Sequence, residues 1–81
     1  MNDYHTKDMG EAAALLTRGC RMRDVQWKDD TAYFIFPDRP QCEAIAKEYF
    51  YSDLQVSART YYDNLRMIKR KLYAGEKGGR R

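Results

Sequence analysis

The chain has 81 residues, of which 43% are hydrophobic and 33% are charged, and its formal net charge is +3. This length suffices for one domain, and folding at this size buries only about 60% of the surface that the unfolded chain exposes. No run approaches the ~20 apolar residues of a membrane-spanning helix, and the polar amino terminus lacks the apolar stretch of a secretion signal. We therefore expect a soluble, cytoplasmic domain without a membrane partner.

A first helix is predicted over residues 8–18. Asp8 and Glu11 have the spacing of a capping box, and apolar residues then recur at the period of a single helical face. Gly19 follows, and glycine readily adopts the left-handed conformation that ends many helices. Both ends of this helix are therefore indicated by the local sequence.

An antiparallel hairpin is predicted next. Apolar residues alternate irregularly over residues 20–28, which indicates a strand with a bulge, and Thr31 to Phe36 is rich in residues that favour strands. Asp29 and Asp30, between the two strands, suit a tight turn. Both faces of the second strand are apolar, so we expect the helices, the C-terminal tail or a partner to cover its second face.

Two more helices are predicted in the second half of the chain. Asp38 and Gln41 repeat the capping-box spacing at the start of one helix. Ser57 suits the cap of the last and longest helix, in which apolar residues recur every three or four positions. Gly75 is the predicted end of that helix.

These elements predict an α+β fold in the order α-β-β-α-α, with the antiparallel β-hairpin packed against the helices. In this interpretation, residues 1–75 form a single domain and residues 76–81 form a flexible, basic C-terminal tail. The two cysteines, Cys20 and Cys42, are expected to be reduced thiols within the core, and whether they ever pair stays open.

No set of residues in the sequence indicates catalysis. The chain has a single histidine, His5, and shows no cluster of metal ligands with a recognisable spacing. It also lacks a glycine-rich phosphate loop, and the pair Asp29 and Asp30 is better explained as a turn than as an acid–base site. We expect a protein that is not an enzyme and that uses no cofactor, metal or small-molecule substrate.

Charge is distributed unevenly along the chain. Residues 1–58 carry seven Lys or Arg against ten Asp or Glu, whereas residues 59–81 carry eight against two. On the last helix, cations and tyrosines share a flank of about 100° beside the apolar seam: Arg59, Tyr62, Arg66, Lys69, Arg70 and Tyr73. Cations neutralise phosphates and aromatic rings stack on unpaired bases, so this flank predicts contact with DNA or RNA.

Other interpretations stay open. Basic residues near the carboxyl end of a helix favourably meet its dipole, and tyrosines often cover the edge of a core, so the same flank suits a solvated surface or an acidic protein partner. A second class of function is protein association, either as a homodimer or as a module that inhibits a partner. Its predicted interface consists of aromatic and apolar residues, namely Tyr33, Ile35, Tyr49 and Tyr51.

The order of elements resembles that of a family of short, uncharacterised prokaryotic and phage domains, known only as a domain of unknown function. The resemblance covers most of the chain, and these positions carry it: Thr6, Lys7 and Asp8 before the first helix, Gly19 after it, the strand Tyr33 to Phe36 with Pro37 and Asp38, and residues 65–73. They define a fold and no reaction. The resemblance therefore implies no catalytic or binding residue.

Overall fold

The computed structural model describes residues 2–51 and 54–80, with side chains described as far as residue 73. The elements within this part of the chain are β1 (Tyr4–Thr6), α1 (Met9–Thr17), β2 (Asp24–Lys28), β3 (Thr31–Phe36), α2 (Arg39–Phe50) and α3 (Ala58–Arg80). The predicted α+β class is confirmed, as is the order α-β-β-α-α of the helices and the hairpin. The strand β1 is an addition to that prediction.

The added strand β1 completes a three-stranded antiparallel sheet in the order β1-β3-β2. His5 lies opposite Ile35 in the pairing of β1 with β3. Three residues are too few to show an alternating pattern in the sequence, and β1 is held by its pairing with β3. Its effect is to make β3 the central strand, with hydrogen-bonded neighbours on both edges.

The helix α1 lies at the centre of the core. Asp8 caps it as predicted, because its Oδ1 accepts the backbone N–H of Glu11 at 3.0 Å. At the other end Gly19 has a φ of 99°, and the N–H groups of Gly19 and Cys20 bond back to carbonyls of the last turn. The four residues 12–15 are fully buried, so α1 is surrounded by other elements rather than packed on one side.

Two predicted boundaries differ from the structure. The strand β2 begins at Asp24 and not at Cys20, because the N–H of Cys20 is used in ending α1. The irregular alternation there reflects a loop and not a bulge. The helix α3 extends to Arg80, beyond the predicted end at Gly75, since a glycine inside a helix costs only about 1 kcal/mol. The side chains of residues 76–81 lie outside the described part, and the flexibility of this tail stays a prediction.

The hairpin determines which strand residues face the helices. Its turn falls at Asp29 and Asp30 as predicted, and Asp29 adopts a left-handed φ of 56°. Phe34 and Phe36 are buried and belong to the same core cluster as residues of all three helices. Because successive strand residues point to opposite faces, Ile35 lies on the other side of the sheet.

The helix α2 covers α1 through an apolar face of its own. Asp38 Oδ1 accepts the N–H of Gln41 at 3.3 Å, which confirms the predicted cap, and Cys42, Ile45 and Ala46 are buried. None of the described helices combines the length and the apolar composition needed to span a membrane.

The two cysteines meet inside this core. Both are free and buried, and their sulfur atoms lie 3.9 Å apart. Removal from water disfavours the charged thiolate, and burial raises the pKa of Cys42 from 9.0 to about 12. Burial raises the pKa of Cys20 as well. Both groups are therefore neutral, unreactive thiols at physiological pH.

Candidate nucleic-acid interface

The predicted binding residues lie on α3, and its position in the fold decides whether they are accessible. Ser57 Oγ accepts the backbone N–H of Thr60 at 3.3 Å and caps the helix as predicted. The inner side of α3 is apolar: Ile68 is fully buried, and Tyr61, Leu65 and Leu72 pack against the core. This side corresponds to the predicted apolar seam.

Two polar contacts join α3 to α1. The Tyr61 hydroxyl donates to the carbonyl oxygen of Gly10 at 3.3 Å, and Asn64 Nδ2 donates to Thr17 Oγ1 at 3.0 Å. Hydrogen bonds are directional, so these contacts restrict rotation of α3 about its own axis more tightly than apolar packing does. The orientation of the outer side of α3 follows from this attachment.

All six predicted residues are exposed on that outer side, and we call them together the basic-aromatic face: Arg59, Tyr62, Arg66, Lys69, Arg70 and Tyr73. Tyr62 is 58% exposed and Tyr73 is 62% exposed. Large aromatic rings are usually more covered than this in a small domain. The structure therefore brings the predicted residues together on one accessible surface, adjacent to the seam and separate from it.

The cations of this face differ in their neighbours from three other arginines of the described surface. Arg18, Arg23 and Arg39 each hold a carboxylate oxygen at 2.7 to 2.9 Å. Among the described side chains, the cations of the basic-aromatic face have no carboxylate within ion-pair distance. The guanidinium of Arg66 lies 5.8 Å from the centre of the Tyr62 ring instead. No ion pair with a described carboxylate therefore reduces the positive charge of this face.

The residues of the predicted protein interface do not form one surface. Ile35 is only 2% exposed, so its side chain is not available to a partner and its place in that interface is corrected. The ion pair of Arg23 with Asp3 joins the residues that directly precede the two edge strands, β2 and β1. Tyr33 is half-buried, with the Lys28 ammonium 5.7 Å from its ring centre.

The other two residues of that predicted interface lie at the end of α2. Tyr49 is half-buried and packs edge-on against Phe50, with ring centres 5.5 Å apart, and burial raises the pKa of its hydroxyl. Tyr51 is 70% exposed, and with Phe50 it lines an open groove of about 490 Å³ that reaches Tyr4. Of the predicted interface, Tyr51 is the residue that is fully open to contact.

A buried carboxylate, Glu11, was not anticipated from the sequence. Its side-chain oxygens accept hydrogen bonds from the hydroxyls of Tyr4 and Thr6, and the bond from Thr6 is 2.8 Å long. Burial and the hydrogen bond to Glu11 raise the pKa of the Tyr4 hydroxyl. Both hydroxyl donors lie in β1, so the short strand explains why a polar side chain is tolerated in the core. Among the described residues, no three His, Cys, Asp or Glu side chains converge as metal ligands would.

A family model described as "Domain of unknown function (DUF5659)" matches residues 1–74. The chain belongs to this family. The match includes every strand, α1, α2 and the whole basic-aromatic face, so this face is part of the family's domain and not of an appended segment. The resemblance noted from the sequence is confirmed at the level of an uncharacterised family, and a prokaryotic or phage origin stays a prediction. Searches of curated proteins and of solved structures found no significant match.

Proposed function

We propose that this protein is a non-enzymatic regulatory or accessory domain of the cytoplasm that contacts nucleic acid through the basic-aromatic face. One observation supports the proposal above all. Cations without carboxylate partners among the described side chains, and two exposed tyrosines, share one flank of a helix whose opposite side is attached to the core. A helix surface of fixed orientation is a suitable platform for phosphates.

The dimensions of this face suit a short stretch of nucleic acid. From Arg59 to Tyr73 the helix rises about 21 Å, which corresponds to about six nucleotides of one strand at 3.4 Å each. Its cations lie along this length, with Tyr62 between Arg59 and Arg66 and with Tyr73 one turn beyond Lys69 and Arg70. Such an alternation allows phosphates and bases of the same strand to be contacted in turn.

The proposal is tested by fluorescence anisotropy of labelled single- and double-stranded DNA and RNA. Neutralising about four phosphates predicts that affinity falls about 50- to 150-fold between ~50 and ~200 mM salt, because bound counterions are released. Saturable binding with this salt dependence is the expected result. No binding at the lower salt concentration would exclude the proposal.

Charge reversal locates the contact. The double variant Arg66→Glu, Arg70→Glu should lose binding. A matched control is Arg18→Glu with Arg39→Glu, which changes the net charge equally but removes cations that already hold carboxylates elsewhere on the surface. If both double variants lose binding equally, the attraction depends on net charge and not on this face.

Protein association is the second candidate, and the end of α2 favours it. Phe50 and Tyr51 are adjacent, both largely exposed, and line the same open groove. Aromatic residues are enriched at interfaces. Sedimentation velocity of the wild type and of Tyr51→Ser tests whether this surface forms a homodimer, in which case the variant should be monomeric at concentrations where the wild type dimerises.

A further inference from the structure

The only tryptophan of the chain, Trp27, is placed unusually. It lies opposite Ala32 in the hairpin, two residues after Val25, which lies opposite the buried Phe34. Residues opposite one another in an antiparallel pair project from the same face, so Trp27 is on the side of the sheet that carries the core. Nevertheless it is 45% exposed. Its ring is at the edge of the core, with part of its surface open to water.

The open part of the ring faces a groove between the hairpin and α3. The groove has a volume of about 320 Å³, and its lining includes Lys7, Met9 and Leu72 as well as Trp27. This volume is at the lower end of the ~300–1,000 Å³ of small-molecule sites. Asp30 contributes the acidic side chain of the lining and Lys7 the basic one. The groove thus offers an aromatic ring, apolar walls and a nearby ammonium group.

The groove adjoins the basic-aromatic face. Leu72 lines it, and at 100° per residue Lys69 and Tyr73 lie about 60° and 100° from Leu72 around the helix, both in the same direction. Met67 lies in the opposite direction, and it lines a different groove on the other side of α3. Lys69 and Tyr73 are therefore on the side of α3 that borders the tryptophan groove.

We propose that this groove holds an unpaired base stacked on Trp27, with neighbouring phosphates on Lys7 and Lys69, so that the partner is a single-stranded nucleic acid. The inference rests on the proposed function and makes it more specific. In a duplex the base faces are covered by their neighbours in the stack, whereas a single strand exposes them to aromatic side chains. Three exposed aromatic rings, those of Trp27, Tyr62 and Tyr73, favour the single strand, as do nearby cations that form no ion pair with a described carboxylate.

The fluorescence of Trp27 reports on this groove directly, because no second tryptophan contributes. The probe is an oligothymidylate of about 12 nucleotides, compared with an abasic oligonucleotide of equal length, which has the same phosphates and no bases. Stacking should quench the emission on titration with oligothymidylate, and the abasic strand should bind more weakly without quenching. The corresponding RNA oligonucleotide and a duplex form two further arms, of which only the RNA should quench.

Substitution supplies the second measurement. Trp27→Ala should weaken binding of oligothymidylate about 5- to 150-fold, the range expected for the loss of one stacked base, while Trp27→Phe should retain most of the affinity. Gln26→Ala, at the exposed neighbouring position on the opposite face of β2, is the control and should bind as the wild type does. Because the abasic comparison uses the wild-type protein, it remains decisive if Trp27→Ala does not fold.

The outcomes separate the two proposals. Binding by anisotropy without quenching, with equal affinity for the abasic strand, overturns the tryptophan site and leaves the basic-aromatic face in place. Tighter binding of the duplex than of the single strand also overturns it. The absence of any binding removes both proposals together.

Discussion

The helices α1 and α3 pack against each other, yet they relate to the rest of the protein in opposite ways. In α1, residues 12–15 are all fully buried, and the helix is covered by β1, α2 and α3. Among residues 58–73 of α3, Ile68 is the fully buried one, and one whole flank carries exposed cations and tyrosines. The comparison indicates that α1 serves stability, whereas the outer residues of α3 are free to serve contact with a partner.

The largest effect should come from the core of α1. Leu15→Ala removes a fully buried side chain, and it should lower the free energy of unfolding by about 2–5 kcal/mol in urea denaturation, through lost apolar burial and the cavity that remains. Met67→Ala, at a partly exposed position of α3, should lower it by less than about 1 kcal/mol. Equal losses would contradict the contrast between the helices.

The buried thiols predict a dependence on alkaline pH. A thiol whose folded pKa is raised contributes stability that is complete below its unfolded pKa of 9.0 and is lost as the pH rises toward the folded value of about 12. The free energy of unfolding should therefore fall above pH 9.0, by up to about 1.4 kcal/mol per pH unit for this one group. In Cys42→Ala the free energy of unfolding should decline less steeply above pH 9.0 than in the wild type. Identical slopes for the two proteins would show that the Cys42 thiol does not cause the decline.

Loss of the N-terminal cap should destabilise the protein more at α1 than at α3. Asp8→Ala removes the 3.0 Å cap of the buried helix α1 and should cost about 1 kcal/mol. Ser57→Ala removes the longer, exposed bond that caps α3 and should cost about 0.5 kcal/mol. Thermal unfolding of both variants measures the difference, and a greater loss at Ser57 would show that α3 is the more important helix for stability.

The smallest effect on stability should come from the basic-aromatic face. Arg66→Glu with Arg70→Glu should change the free energy of unfolding by no more than about 0.5 kcal/mol, because neither side chain holds a described carboxylate or packs in the core. The same variant should lose nucleic-acid binding. A large destabilisation would mean that the face has a structural role.

Much of the fold was predictable because its signals are local. Asp8, Gly19, the turn at Asp29 and Asp30, and Asp38 all act within a few residues of their own position. The six residues of the basic-aromatic face were identified for a similar reason, since helical periodicity relates them without reference to any other element. The boundary at Cys20 was missed because the N–H of that residue is used in ending α1, and the boundary at Gly75 was missed because one glycine costs a helix only about 1 kcal/mol.

The sequence by itself determined the helices, the hairpin and the grouping of cations with tyrosines on one flank of α3, because each depends on spacing along the chain. Only the tertiary structure decided that β1 pairs with β3, that Ile35 is buried, and that Trp27 lines a groove beside Leu72. These features join residues far apart in sequence. Pairing and burial depend on the surfaces that distant elements present, and such information is not contained in local pattern.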